Sequence, residues 1–87
     1  MKVKLFNGRT VELLLDGKTV MMVYAEESGT MGRSDPILLA VIVGEDVKDC
    51  QRKYLASKGV IETEDIQATF DNDMSEWRFH MVYKEPA

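Results

Sequence analysis

The sequence predicts an α+β fold: an antiparallel sheet of order β-β-β-α-β-β packed on one long helix. Three observations carry that expectation. Two turn dipeptides, Asn7-Gly8 and Asp16-Gly17, divide the first 24 residues into three short segments. A central segment is bounded by Pro36 and Gly59 and repeats apolar residues at steps of three and four. The C-terminal stretch alternates apolar and polar residues with the period of two that a half-buried strand requires.

The first segment group reads as a meander with strands near residues 2–6, 9–15 and 18–24. Type I′ turns need positive φ at both central positions, which Asn-Gly and Asp-Gly tolerate best. In the middle strand Val11, Leu13 and Leu15 leave one face apolar. In the third, Val20, Met22 and Tyr24 alternate with Met21 and Val23, so both faces are apolar. Such a strand is either covered on both sides or an edge that pairs with another subunit. The polar loop 25–35 contains Gly29 and Gly32 but neither a P-loop nor a dinucleotide fingerprint, so no phosphate site is expected there.

The long helix takes Ser34 or Asp35 as its cap, Pro36 as its first residue and Gly59 just past its end. Ala40, Val43, Val47, Cys50 and Tyr54 form its apolar stripe, and Asp49 with Lys53 is a favourable pair one turn apart. A second reading stays open: Ile37–Val43 is β-branched enough for a buried strand, with Glu45 and Asp46 opening a shorter helix. Residues 45–58 are helical either way. A closing hairpin follows, with strands near 63–70 (Ile66, Ala68, Phe70) and 77–84 (Trp77, Phe79, Met81, Tyr83) and a turn at Asp71–Glu76.

Size and charge restrict the function. The chain has 87 residues, read as one small domain over 1–87, and a net charge of −4. An acidic chain is a poor phosphate-backbone binder, so no nucleic acid partner is expected. The longest apolar run, Ile37–Val43, is about a third of a membrane span, and the N-terminus carries no signal-like segment. A cytoplasmic setting and no membrane partner follow as expectations. A domain this small has a marginal core without a disulfide or metal, which favours a homodimer. Residues 1–24 carry +2 and the remainder −6, with Glu62, Glu64, Asp71 and Asp73 in a stretch free of basic residues. That stretch is either a solvated surface or a contact for a basic partner.

The run from Gly17-Lys18-Thr19-Val20 through Ser34-Asp35-Pro36-Ile37-Leu38-Leu39-Ala40 to Trp77-Arg78-Phe79-His80-Met81-Val82-Tyr83 resembles the N-terminal half of OsmC-like proteins. That family includes the organic hydroperoxide resistance proteins. The resemblance covers most of this chain and about half of a family member. It implies a long central helix, an interleaved dimer and a hydroperoxide-stress setting. It also implies thiol chemistry in which one cysteine becomes a sulfenic acid and a second resolves it. Here the first reactive position falls at Asp46, Cys50 lies one helical turn further on, and no second cysteine exists. Inherited architecture without autonomous peroxidase activity is the resulting expectation.

Candidate chemical residues are few. Cys50 is the sole nucleophile of interest, and its place on the apolar stripe reads as buried and inert. His80, the one imidazole, reads as a solvent-facing strand residue, and a Cys50–His80 pair would require both on one sheet face. Glu62 with Glu64, or Asp46 with Asp49, are acid pairs without evident desolvation. Asp71, Asn72, Asp73 and Glu76 lack the glycine and distal glutamate of a calcium loop. No cofactor or metal is expected. The interaction candidates are Glu62, Glu64, Asp71 and Asp73 for a basic partner, and Met22 and Tyr24 for a subunit interface. Three functions compete: a non-catalytic homodimer binding a protein or small apolar molecule, a compact acidic protein-binding module, and a hydroperoxide reductase using Cys50 across a dimer.

Overall fold

In the computed structural model, which describes residues 1–26 and 36–85, the order of elements is β-β-β-β-α-α-β. The chain starts with β1 (Lys2–Lys4) and β2 (Thr10–Glu12), an antiparallel ribbon in which Val3 faces Val11. Its turn differs from the expected type I′. Only Gly8 is left-handed (φ 84°), and its N–H donates to the Leu5 carbonyl (3.0 Å), so the reversal closes on a glycine bulge. The second turn is of the expected kind: Asp16 and Gly17 both take positive φ (48° and 75°), and Lys18 N–H donates to the Leu15 carbonyl.

Beyond that turn runs β3 (Thr19–Ala25), the centre of a second sheet. It pairs antiparallel with β4 (Ile37–Gly44) on one side and with β5 (Arg78–Tyr83) on the other. The uninterrupted meander is therefore a separate ribbon plus a three-stranded sheet of order β4-β3-β5. The doubly apolar character of β3 is that of a central strand covered on both faces. Met21 and Val23 point into one core with Cys50, Tyr54, Leu55 and Phe70. Val20, Met22 and Tyr24 point into the other with Leu15, beneath Leu5 and Leu13 of the ribbon segment.

The long helix is a strand followed by a short helix. Ile37–Gly44 hydrogen-bonds to β3, and α1 (Val47–Ser57) starts only after Asp46, whose side chain accepts from Asp49 N–H. Periodicity does not separate helix from strand in a uniformly apolar run, so pairing with β3 decides it. Gly44 lets α1 start at once: a Cβ there would lie 3.1 Å from Cys50 N and 2.9 Å from an Asp49 oxygen. Gly59 (φ 89°) ends α1 as expected, with Val60 N–H donating back to the Leu55 carbonyl.

The strand expected at 63–70 is also a helix, α2 (Ile66–Met74), and the expected 71–76 turn lies mostly within it. Asp65 caps it by accepting from Ala68 N–H. Ile66, Phe70 and Met74 recur at steps of four and all contact the helix-side core, which overrides the alternation of Ile66, Ala68 and Phe70. The expected two-stranded closing hairpin is thus α2 followed by β5. Trp77 turns the chain between them in a left-handed conformation (φ 61°) and is exposed, outside the strand. The layers are two helices, the three-stranded sheet, and the N-terminal ribbon.

Candidate functional site

Cys50 sits at the inner face of α1, where the helix meets the end of the sheet. It is 0% exposed, and its Sγ donates to the Thr19 carbonyl (3.5 Å) and lies 3.9 Å from that of Ile42. Burial pushes the thiol pKa up, and the negative charges of Asp49 and Asp46 add to it against the smaller opposing effect of Lys53. A nucleophilic cysteine needs the reverse environment. Asp46 and Asp49 form no acid–base pair. Asp46 caps the helix, and the Asp49 carboxyl is held below the usual range chiefly by the Glu45 N–H it accepts from, then by its ion pairs with Lys53 and Arg52, against partial desolvation.

His80 is not solvent-facing. It stands opposite Val23 on the helix side of the sheet, with its ring edge against Phe70 (4.9 Å between centroids). Cys50 and His80 therefore do share a sheet face. Cys50 meets the carbonyls of Thr19 and of Ile42, which faces Met21, while His80 is level with Val23, so the two stand about 7–13 Å apart along the strand.

The acidic stretch is divided. Glu62, Glu64 and Asp71 are exposed, and Asp71 accepts from Gln67 one turn earlier. Asp73 is spent internally: it accepts from Tyr54 Oη (2.6 Å), from Lys58 and from Arg78 (3.2 Å), tying α1, α2 and β5 together. Burial opposes its ionisation, but hydrogen bonds from Lys58 and Tyr54 and the charges of Lys58 and Arg78 outweigh it and hold its carboxyl below 3.8. Burial, with the same carboxylate beside it, pushes the Tyr54 phenol up to about 12. This constellation is a structural tie rather than a reacting pair, since every member already has its partner. No group of three or more metal-ligating side chains occurs among the described residues.

Recesses lie between α1 and the segment leading into α2. One, of about 400 Å³, is lined by Lys48, Gln51, Glu64, Asp65 and Gln67, and the Gln51–Gln67 amide contact (3.2 Å) occupies its polar groups. A smaller one of about 210 Å³ is bounded by Leu55, Val60, Ile61 and Ile66. The loop with Gly29 and Gly32 lies outside the described residues.

The two subunit-interface candidates, Met22 and Tyr24, are each 3% exposed. The ribbon covers them: Phe6 meets Tyr24 edge-on (5.0 Å) and Phe79 edge-on (5.3 Å), while Tyr24 and Phe79 stack (5.2 Å, 13°). Apolar exposure lies instead on β4. Ile37, Leu38, Leu39, Val41 and Val43 are all exposed, on a strand that is the edge of its sheet and carries no charge. Sequence reasoning missed this surface because it placed these residues in a helix or a buried strand. The signal was the seven-residue apolar run itself.

No helix among the described residues is long and apolar enough to cross a membrane. The chain matches no protein-family model, no curated protein and no solved structure.

Proposed function

We propose that this chain is a non-catalytic association protein that works as a homodimer and, in that form, holds a protein or small apolar partner. One observation carries the reading: β4 is an uncharged edge strand with five large apolar side chains in solvent. A lone small domain gains nothing by leaving such a strand open, because exposed apolar edges recruit other chains. The exposed side chains amount to an apolar surface on the order of 450 Å², within the size range at which patches on small proteins are functional.

The chemistry of the remaining candidates supports the same reading. A thiol reductase would need a Cys50 that solvent and peroxide reach, and Cys50 is enclosed beneath α1. An acidic module would lose one of its four carboxylates, since Asp73 is engaged by three donors while Glu62, Glu64 and Asp71 stay exposed. The OsmC-like resemblance plays no part here, since Ile37–Ala40, which carried its helix motif, lies in β4.

The test is the solution mass by light scattering behind a sizing column over a dilution series. A dimer dissociating with a midpoint in the micromolar range or below supports the proposal. A monomer at every concentration contradicts it.

A further inference from the structure

The homodimer reading leaves open how two copies meet, and β4 contains a geometric answer. Half of the N–H and C=O groups of an edge strand point away from the sheet and seek a partner strand. On β4 that open stretch is delimited at both ends. Towards its start, the register with β3 shifts: Val23 faces Ala40 but Tyr24 faces Leu38, so Leu39 is an extra, bulged residue. A bulge interrupts the regular ladder that a second strand could join. Towards its end, Lys53 Nζ reaches from α1 and donates to the Val43 carbonyl (2.9 Å). Between the two guards lie Ala40, Val41 and Ile42, with Val41 in the middle.

We propose that β4 pairs antiparallel with β4 of a second copy across a two-fold axis at Val41, joining two three-stranded sheets into one of six strands. This rests on the homodimer reading and names its interface. The stretch is self-complementary. The axis sets Val41 against its own copy and Ala40 against Ile42 of the partner subunit. Small thus meets large on the helix side, and no like charges oppose each other, because no residue from Ile37 to Gly44 is charged. Two-fold pairing requires this same-patch complementarity. The five exposed side chains of both copies together, about 900 Å², give a small interface of the weak, transient kind. A second copy is also the one partner that always brings a matching uncharged strand.

Two full-length variants test the pairing. Val41 is 50% exposed, so Val41→Lys leaves the monomer folded while placing two ammonium groups on the axis. The dimer dissociation constant should rise at least tenfold with an unchanged circular dichroism spectrum. Val41→Cys should cross-link to itself under mild oxidation, because facing Cα atoms in an antiparallel pair lie about 4.5–5.5 Å apart, within disulfide reach. Buried Cys50 stays silent, and Leu14→Cys, on the 88% exposed residue of the ribbon segment, serves as the exposed control. A dimer that survives Val41→Lys, with no more cross-linking at Val41→Cys than at Leu14→Cys, overturns the β4 interface and leaves the homodimer standing. A wild-type monomer overturns both and makes an extended apolar peptide the better occupant.

Discussion

The two edges of the three-stranded sheet are treated in opposite ways. β5 carries Arg78, which pairs with Asp73 (3.2 Å) and Glu76 (3.6 Å), and His80, whose ring rests against Phe70 of α2. Its other face holds Phe79, stacked on Tyr24 under the ribbon. Charge, a covering helix and an aromatic cluster thus protect that side. β4 has a bulge and one lysine at its ends and nothing charged between them. Edge protection in small sheets uses all these devices, and a strand that omits most of them keeps its surface for association. The difference follows from where α2 lies. It contacts β5, whereas the helix against β4 among the described residues is α1, which leaves Val41 and Val43 in solvent while Ala40 and Ile42 pack on the core.

That contrast can be broken from the protected side first. Phe70 is fully buried and carries the contact between α2 and β5, so Phe70→Ala should cost about 3–5 kcal/mol in urea unfolding. Its effect should be seen as early loss of β5 protection. Gly44→Ala acts at the junction of β4 and α1, where a Cβ meets the Cys50 backbone nitrogen. It should cost about 1–3 kcal/mol, because backbone cannot yield as a flexible side chain would. Tyr54→Phe removes one of the donors to Asp73 and should cost about 1–2 kcal/mol.

The Asp73 tie also fixes a pH dependence. Its folded-state pKa is held below 3.8, so the ionised form is favoured by folding. That stability is fully present above the unfolded value and is lost as pH falls through the lower folded value. The urea-midpoint difference between wild type and Asp73→Asn should stay level down to about pH 4 and shrink below it. The smallest effect on folding is expected at the open edge: Val41→Lys should change monomer stability by no more than about 0.5 kcal/mol while weakening association. A large folding penalty there would mean that β4 is less exposed than its solvent contact indicates.

How far the sequence reveals these features depends on how local their causes are. The Asp16-Gly17 turn, the Gly59 helix stop and the strand at 78–83 were legible because backbone sign and side-chain alternation belong to the residues themselves. Asn7-Gly8 was legible as a reversal but not as a turn type, since only Gly8 takes positive φ. Residues 66–74 satisfied both an alternating and a four-step pattern, and the contact of Phe70 with Tyr54 and His80 selected the helix. Asp65 was a readable cap that its acidic neighbours obscured. The burial of Cys50 followed from its stripe. The orientation of His80 did not, because what lies above a strand depends on a helix elsewhere in the chain. The open edge was the least legible feature. Strand order, a property of the whole chain, makes β3 central and β4 terminal, although both are equally apolar in sequence.

The most direct test of the account is amide hydrogen exchange of the wild-type chain, followed residue by residue across a range of protein concentrations. Pairing through β4 predicts that amides in the Ala40–Ile42 stretch become more protected as concentration rises, while those of β5 do not change. Protection independent of concentration at β4, or a rise confined to β5, would contradict it.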